Sequence, residues 1–508
     1  MNSEILKPDA PYLVFCHFRI KSFGGFRRKA YLCSRMNRKN LKTNYYNMHT
    51  TLLKKMLFIA LMVTGYQTML ATPQALEDNG GETAAEAVAN MRVGWNLGNT
   101  LDSNSGDVNN MWIEKWSQRT PKDYETAWGQ PVTKPELMKL FKEAGFNAIR
   151  VPVTWYPHME AKFQLTGTVW DMANDDIGTK IQAAWMKRVH EVVDYVISQD
   201  MYCILNIHHD TGASSTAWLT ASEADYAKQK ERYEEVWRQI AEEFKDYDEH
   251  LLFEGYNEML DTYDSWCFAS FSAPNNYNSS VATSAYNAIN CYSQSFVNAV
   301  RSTGGNNAQR NLIVNTYGAC NGSGTWNQHL QDPLKQMKLP TDNVSNHLIF
   351  EVHTYIGVTN LSNAKSEVNQ IISTVKSNLV SKGAPVIFGE WGTSTDKGYE
   401  NYRSNMLAFA RYFVEQAKAN NMGTFYWMGL SDGEHRSVPE FNEADLKDAI
   451  IKGYYGYEGY QGISYVENSP SQPVAYYDLS GHRITAPQGG LHIILEADGT
   501  VRKVYRNP

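Results

Sequence analysis

The 508-residue sequence predicts an α/β protein, a (β/α)8 barrel (TIM barrel) followed by a small C-terminal β appendage. Three observations predict this fold. Eight short apolar segments recur along the chain, helix-period stretches separate them, and after about residue 462 both patterns give way to short alternating strands with glycine turns. A barrel of this kind accounts for most of the chain by itself.

The eight segments are apolar on both faces, as parallel strands covered by helices are. An open, doubly wound sheet is the competing topology, but the first segment is not followed by the GxGxxG turn typical of that fold. The pattern therefore favours the closed barrel. The segments are RVGWN (92–96), NAIRVPVTW (147–155), YCILNIHH (202–209), LLFEGYNE (251–258), NLIVNTYG (311–318), HLIFEVHTY (347–355), PVIFGEWG (385–392) and TFYWMGL (424–430).

Helix-period stretches lie between these strands, and several end in Gly, Asn or a short polar turn. The segment between Cys267 and Cys291 is instead predicted to be a Ser-, Asn- and Tyr-rich insertion, across which the two cysteines could pair. No CxxC or HExxH spacing supports a structural zinc site. The helix-period stretches are residues 134–145, 183–200, 226–247, 366–383 and 401–421.

The first 71 residues are basic and the rest of the chain is acidic. Of 47 Lys and Arg and 54 Asp and Glu, this segment holds 12 and 2, which leaves 35 and 52, a net charge of about −17. That balance argues against a nucleic-acid partner or an anionic membrane surface. A neutral polymer would not be repelled.

Residues 48–71 are predicted to be a secretory signal peptide, because Lys54-Lys55 precedes a short apolar run and small residues lead to a cleavage site after Ala71. The run is too short to span a membrane. Residues 1–47 are predicted to be mis-assigned upstream sequence, and a genuine basic arm is the alternative. The barrel domain is expected over 72–462, with a linker and small β tail over 463–508, in a protein that is secreted or held at the cell surface.

Polar residues stand at the C-terminal ends of the predicted strands, where the chemistry of a (β/α)8 barrel collects. Glu258 closes the fourth predicted strand and Glu390 the seventh, so both point to one mouth. Either alone could be a salt-bridge partner. Two carboxylates across a cleft suit glycosidic cleavage, because one protonates the leaving oxygen while the other attacks the anomeric carbon or activates water. The strand-end residues are Arg150, His208, His209, Asn257, Glu258, His353, Tyr355, Glu390 and Trp427.

Two neighbours fit those roles. Asn257 can hydrogen-bond a sugar 2-hydroxyl, a contact that strengthens as the oxocarbenium-like state forms. Arg150 can pair with Glu390 and hold it ionised, while a less polar setting raises the pKa of Glu258. A purely structural salt bridge is the other interpretation of Arg150.

His353 and Tyr355 lie two residues apart on one strand and share a face, so both can donate hydrogen bonds to a carboxylate or a sugar hydroxyl. Trp427 offers a flat face to a sugar ring, or else is a core side chain. His208 and His209, with His353, raise the alternative of a zinc hydrolase. Adjacent strand residues point to opposite faces, however, so this pair is not expected to chelate one ion.

These motifs resemble glycoside hydrolase family 5, the (β/α)8 family that includes many cellulases. LLFEGYNEM is similar to the signature around the family's acid/base glutamate, with Met259 where Pro or Val is more usual, and VIFGEWG is similar to its nucleophile motif. GWNLGNTLD (94–102), IRVPVTW, NIHH, HTY and YWMG match in order, so the resemblance covers about residues 92–430. With ETAWGQPVT (125–133), the sequence is most like subfamily 4 endoglucanases and xyloglucanases of Bacteroidetes.

The resemblance implies a retaining endo-β-1,4-glucanase that cleaves cellulose-type or mixed-linkage β-glucan by double displacement, without metal or cofactor. It implies that Glu258 is the acid/base and Glu390 the nucleophile. The expected substrate-binding residues are Arg150, His208, His209, Asn257, His353, Tyr355 and Trp427.

Other functions stay open at this stage. A xyloglucan-specific endoglucanase is the alternative within the class, and a non-catalytic glycan-binding barrel or a zinc hydrolase is the alternative outside it. A monomer is expected. The tail is similar to C-terminal segments of secreted Bacteroidetes proteins, which suggests sorting or surface attachment, and a passive β appendage is the other interpretation.

Overall fold

The structure describes most of the chain. No helix of that part is long and apolar enough to cross a membrane. The predicted leader and signal peptide lie outside it, and so does Cys267. Cys291 is a half-buried thiol, and its pairing with Cys267 lies outside the described residues. The computed structural model describes residues 81–161, 163–172, 178–266, 271–272, 276–393, 399–456, 473–477, 483–484, 490–496 and 501–506.

Eight parallel strands close into a barrel in which each strand pairs with its neighbours in sequence and the last pairs with the first. The predicted barrel and the position of each strand are confirmed. Several strands end sooner than their apolar segments do. The strands are β1 (Gly94–Asn96), β2 (Ala148–Val151), β3 (Tyr202–Asn206), β4 (Leu251–Glu254), β5 (Leu312–Asn315), β6 (Leu348–Ile356), β7 (Val386–Thr393) and β8 (Gly423–Tyr426).

A helix follows each strand and packs on the outside of the barrel. Five of the eight correspond to the predicted helix-period stretches, with ends that differ by a few residues. Burial of both strand faces, between these helices and the barrel interior, explains the continuous apolar runs. The helices are α1 (Pro135–Ala144), α2 (Ala183–Ile197), α3 (Glu223–Glu243), α4 (Ser279–Arg301), α5 (Asp332–Gln336), α6 (Leu361–Asn378), α7 (Arg403–Ala419) and α8 (Ala444–Tyr455).

Helix α4 occupies much of the segment predicted to be an insertion, so that prediction is wrong over its second half. The segment is rich in Ser, Thr and Asn, which are poor helix formers. Asn278 caps the helix by accepting hydrogen bonds from the backbone N–H groups of Ser280 and Val281. Packing of a buried face that includes Ile289 and Phe296 then outweighs the low propensity.

The barrel interior holds its own apolar layer, separate from the core between strands and helices. Helix Ala84–Met91 covers the N-terminal ends of the strands and packs on this layer, and the Ala84 N–H donates to the carbonyl of Asn346, just before β6. The opposite end is left for polar side chains. The layer consists of Ala148, Tyr202, Ile204, Leu252, Ile313, Ile349, Ile387 and Phe425.

The predicted β appendage is a four-stranded antiparallel sheet. Its strands are β9 (Pro473–Tyr477), β10 (Arg483–Ile484), β11 (Gly490–Glu496) and β12 (Val501–Arg506), in the order β10-β9-β11-β12. In the sequence, short segments that contain glycine connect these strands. The alternating pattern of the tail predicted such strands.

Gly94→Ala is expected to lower the free energy of unfolding by about 1–3 kcal/mol, because overpacking a tight core forces neighbours to move. A Cβ on Gly94 would lie 2.2 Å from Cδ1 of Phe425. Denaturant unfolding of the variant measures the loss. Gly429→Ala is the matched control, since a Cβ there meets no atom of the described residues within 4 Å. Equal stability of Gly94→Ala and wild type would contradict this packing of the interior.

Candidate active site

The structure brings the predicted site residues together at the C-terminal mouth of the barrel. Arg150 lies in β2, His353 and Tyr355 lie in β6, and Glu390 lies in β7. The other predicted residues follow β3, β4 and β8. Glu258 does not close β4 as predicted, because strand pairing ends at Glu254 and Glu258 lies in the loop beyond it.

Arg150 is fully buried and joins four parts of the mouth. Its Nε and Nη2 donate to the two carboxylate oxygens of Glu254 at 2.6 and 2.8 Å. Its Nη1 donates to Glu390 Oε1 at 2.8 Å and to Asn96 Oδ1 at 3.0 Å, and Nη2 also donates to Asn257 Oδ1 at 2.8 Å. The bidentate pair with Glu254, which the sequence did not single out, fixes the plane of the guanidinium.

Glu390 receives hydrogen bonds on both oxygens. Arg150 donates to Oε1, and the Tyr355 hydroxyl donates to Oε2 at 2.7 Å. His353 Nδ1 lies 3.6 Å from the same Oε2. Burial raises the pKa of Glu390, but His353, Arg150 and the Tyr355 hydroxyl outweigh burial, so the pKa lies below its ordinary value. Glu390 is therefore held as a carboxylate.

Glu258 lies in a different electrostatic setting. Its Oε1 accepts a hydrogen bond from His353 Nδ1 at 2.8 Å. Burial, with a smaller contribution from the charge of Glu390, raises the pKa of Glu258 in spite of His353. An oxygen of Glu258 and an oxygen of Glu390 lie within 4.8 Å of one another. Two carboxyl groups with pKa values pushed apart can act as an acid and a nucleophile.

His353 lies between carboxylates on both ring nitrogens. Nδ1 faces Glu258 and Glu390, and Nε2 lies 3.2 Å from Oε1 of Glu351. Burial lowers the pKa of His353, but Glu390, Glu258 and Glu351 together raise it to about 10. Glu351 is buried in β6 and was not among the predicted site residues. Its only sequence signal is an acidic residue inside an apolar strand, a signal that Glu254 shares.

His208 and His209 lie beyond the end of β3, so strand alternation does not separate them. Their rings are 4.5 Å apart, which makes the expectation of opposite faces wrong. The nearest donor atoms of the pair and of Asp102 lie within 4.8 Å of one another. The Asn206 amide nitrogen donates to His208 Nδ1 at 3.0 Å, and its orientation is fixed because its oxygen accepts from the Val153 N–H.

This hydrogen bond sets the tautomer of His208. Because Nδ1 accepts, Nε2 carries the proton, and it lies 3.8 Å from Glu390 Oε1. A histidine that binds a metal through one ring nitrogen donates the N–H of the other to a partner, whereas His208 Nδ1 accepts a hydrogen bond from Asn206. Burial lowers the pKa of His208 well below its ordinary value, so the ring is neutral. It suits donation to a ligand better than metal binding.

Aromatic rings border the mouth on both sides. Trp427 stacks on His208 with 5.7 Å between ring centroids, and Trp128 lies 5.4 Å from His209. On the Glu258 side, a cleft of about 840 Å³ extends past Tyr355. Trp266 and Trp326 also line this cleft, with 46% and 70% of their surface exposed, and the sequence did not predict them. The mouth is thus an open groove bordered by flat rings, a form that suits a chain of sugar rings.

A (β/α)8 barrel with two such carboxylates at its mouth has the arrangement of a glycoside hydrolase. Residues 109–432 match the sequence model of the family described as Cellulase (glycosyl hydrolase family 5). The chain belongs to this family. The family and fold predicted from the sequence are confirmed.

Individual relatives agree with this assignment. Endoglucanase A of Clostridium longisporum is 31% identical over 397 residues, which cover 73% of this chain and 66% of that protein. A solved GH5-4 broad specificity endoglucanase from an uncultured bacterium is 52% identical, with a TM-score of 0.68, over 76% of this chain and 99% of that chain. A family 5 glycoside hydrolase from Prevotella bryantii B14, solved as a mutant with a xyloglucan tetradecasaccharide, is 37% identical, with a TM-score of 0.61, over 74% and 99%.

Arg150→Met is expected to lower the free energy of unfolding by about 3–5 kcal/mol, because removing one partner leaves buried charges uncompensated. The charges are those of Glu254 and Glu390. Arg411→Met is the control, since Arg411 pairs with Glu415 on the surface and such pairs contribute about 1 kcal/mol or less. Chemical denaturation of both variants measures the difference. Similar losses in the two would contradict a central role for the buried guanidinium.

The stability that His353 contributes is expected to fall as the pH rises. Folding raises its pKa from 6.5 to about 10, so the cation stabilises the folded protein fully below 6.5 and this contribution disappears as the pH passes 10. The free energy of unfolding of wild type minus that of His353→Asn, followed across this interval, should therefore decrease. A difference that stays constant or grows would contradict a cationic His353.

Proposed function

We propose that this protein is a retaining endo-β-1,4-glucanase that hydrolyses cellulose-type or mixed-linkage β-glucan by double displacement. The observation that carries the proposal is the pair of carboxyl groups at the mouth, with oxygens within 4.8 Å. Glu390 is held ionised and the pKa of Glu258 is raised. A separation of about 5 Å leaves no room for water between carboxylate and sugar, which favours retention over inversion.

In the first step, Glu390 attacks the anomeric carbon and forms a covalent glycosyl ester. Glu258 gives its proton to the glycosidic oxygen, and the bond from that oxygen to the anomeric carbon breaks. In the second step, Glu258, now ionised, removes a proton from water. The water oxygen attacks the anomeric carbon and displaces Glu390, so the product keeps the original configuration and Glu258 regains its proton.

The surrounding side chains support these two steps. The Asn257 amide oxygen is engaged by Arg150, which leaves the amide N–H₂ to donate to the sugar 2-hydroxyl. The Nε2–H of His208 can donate to another sugar hydroxyl. Trp427 supplies a stacking face for a sugar ring. His209 lies next to His208 on the same side of the mouth and is also proposed to contact the substrate. Tyr355 orients Glu390 in the free enzyme.

The open groove supports attack within a polysaccharide rather than at its end. The broad specificity of the 52% identical endoglucanase supports β-glucan as the substrate class. A xyloglucan-specific endoglucanase is the second candidate, favoured by the xyloglucan bound to the Prevotella bryantii relative. Initial rates on carboxymethyl cellulose, mixed-linkage glucan, xyloglucan and mannan separate the two. Activity confined to xyloglucan would favour the second, and equal activity on mannan would contradict both.

The proposal places the enzyme outside the cell as a monomer. The basic and apolar order of residues 48–71 supports export, and a long polysaccharide is accessible only there. The tail over 463–508 is proposed to serve sorting or surface attachment. N-terminal sequencing of the secreted protein should begin at Thr72, and light scattering should give the mass of one chain. A mature protein that still carries residues 48–71 would contradict the signal peptide.

Glu390→Gln and Glu258→Gln are each expected to lower kcat/KM on mixed-linkage glucan by about 10³-fold or more, because one lacks the nucleophile and the other the proton donor. Unfolding curves of both variants serve as the folding control. Cleavage by the wild type should be unchanged in EDTA, whereas a zinc hydrolase would lose activity. Wild-type rates in either variant would overturn the assignment of that residue.

Small anions distinguish the two roles. Azide should restore cleavage by Glu258→Ala and give a product with azide on the β face, because the glycosyl ester still forms with good leaving groups and azide needs no base. Azide should give the opposite anomer with Glu390→Ala, since it then attacks in place of the missing nucleophile. Proton NMR of the two products checks this. An exchange of the two anomers would reverse the roles.

A further inference from the structure

Glu351 contacts His353 and Arg150, which in turn contact the proposed reacting groups, and neither step of the proposed reaction uses it. It precedes His353 by two residues in β6, and its side chain is fully buried. Its Oε1 lies 3.2 Å from His353 Nε2 and 3.5 Å from Arg150 Nε. Its Oε2 is buried without a hydrogen-bond partner among the described residues. A carboxylate with a free, buried oxygen is costly to keep.

The ion pair with Arg150 does not by itself explain this placement. The Nε and Nη2 groups of Arg150 already donate to Glu254 at 2.6 and 2.8 Å, closer than Glu351 comes. A second carboxylate beside Glu254 also adds repulsion. Burial and the charge of Glu254 together raise the pKa of Glu351 to about 7. Arg150 and, to a smaller extent, His353 oppose this rise, and the shorter of the two contacts of Glu351 is the one with His353.

The Glu351 side chain fits in its position only because residue 389 is a glycine. A Cβ on Gly389 would lie 1.4 Å from Glu351 Oε1, so the two side chains cannot coexist in this arrangement. Gly389 precedes Glu390 in β7, and its backbone is not in the left-handed region. The absence of a side chain, rather than backbone freedom, is what this position requires.

The charge of Glu351 influences whether one or both ring nitrogens of His353 carry a proton. A neutral imidazole donates from one nitrogen, and an imidazolium donates from both. His353 has Glu351 at Nε2, while Glu258 and Glu390 face Nδ1. Ionised carboxylates at both ends favour the cation, and Glu351 contributes its charge mainly above pH 7, because its pKa is about 7. Without the charge at Nε2, the ring can become neutral at a lower pH and leave Glu258 without a cationic neighbour.

We propose that Glu351, placed by the gap at Gly389, is a positioning residue that keeps His353 an imidazolium with its Nδ1–H directed at Glu258. This inference rests on the proposed function and assigns how its acid/base residue is tuned. The charged and titratable groups that face Glu351 and His353 lie on four other parts of the barrel: Arg150 on β2, His208 after β3, Glu254 on β4 with Glu258 after it, and Glu390 on β7.

The direction of the effect on pH dependence follows from these charges. The alkaline limb of kcat/KM reports loss of the Glu258 proton, and a nearby cation makes that loss easier. When His353 becomes neutral, the pKa of Glu258 rises and the alkaline limb moves to higher pH. The acid limb reports Glu390 ionisation, at a pH where Glu351 is already protonated because its pKa is about 7. The acid limb should therefore stay in place.

Glu351→Gln tests the proposal, because it keeps the shape and the acceptor oxygen but removes the charge. On mixed-linkage glucan the alkaline limb should rise by about 1 pH unit, since loss of an adjacent opposite charge shifts a carboxyl pKa by about 1–3. We expect kcat to fall about tenfold, an effect on the reaction step, with KM within about twofold. An unmoved or lowered alkaline limb, or a change in KM alone, would overturn the proposal.

Gly389→Ala supplies an independent test, because it displaces Glu351 without removing its charge. This variant should show the same shift of the alkaline limb and a lower melting temperature. The double variant Glu351→Ala/Gly389→Ala relieves the clash, so the melting temperature should recover above that of Gly389→Ala while the limb stays shifted. A purely structural role predicts recovery of both. Gly429→Ala, where a Cβ meets nothing within 4 Å in the part of the chain that the structure describes, is the matched glycine control.

The outcomes separate this inference from the proposed function. A wild-type enzyme that cleaves none of the β-glucans would contradict the proposed function itself. A wild-type enzyme that cleaves them, with an unchanged alkaline limb in Glu351→Gln and in the double variant, would contradict only the role of Glu351.

Discussion

The buried guanidinium of Arg150 is the interaction on which the rest of the site depends. Its donors reach Asn96 on β1, Glu254 on β4, Asn257 beyond β4 and Glu390 on β7. These residues are far apart in sequence, and only closure of the barrel brings them to one cation. One side chain therefore helps to keep the proposed nucleophile ionised and also orients the amide beside the acid/base.

The charges at the mouth work as a group. Arg150 and the imidazolium of His353 face four carboxyl groups, so at least one carboxyl is most stable in its protonated form. Burial raises the pKa of Glu258 and Glu351, while two cations and a tyrosine hydroxyl keep Glu390 ionised. The cost of this cluster is offset by the apolar interior below it and by the helix that covers the other end of the barrel.

Much of the fold could be predicted from the sequence, because a strand buried on both faces leaves an unmistakable apolar run. The strand-end rule also selected most residues that meet at the mouth, and the family resemblance supplied their expected roles. Helix α4 escaped prediction because Ser, Thr and Asn hide its amphipathic face. The relation of His208 to His209 was misjudged because alternation applies only within a strand, and β3 ends at Asn206.

The polar groups beneath the surface of the site were the hardest to predict. Glu254 and Glu351 each follow a phenylalanine inside an apolar strand, yet their partners are set by contacts across the barrel. Gly389 is likewise unremarkable in sequence, and only the position of Glu351 shows why no side chain fits. Trp266 and Trp326 lie on loops, whose paths depend on packing that no local pattern encodes.

Trapping of the covalent intermediate tests the central claim most directly. A 2-deoxy-2-fluoro cellobioside with a good leaving group slows both steps, and the second step most, so the glycosyl ester accumulates. Mass spectrometry of the inactivated, protease-digested enzyme should find one fluoroglycosyl group per chain, on the peptide that contains Glu390. A label on Glu258 or elsewhere, or turnover to inverted product with no label, would contradict the assignment of Glu390 as the nucleophile that Arg150 holds ready.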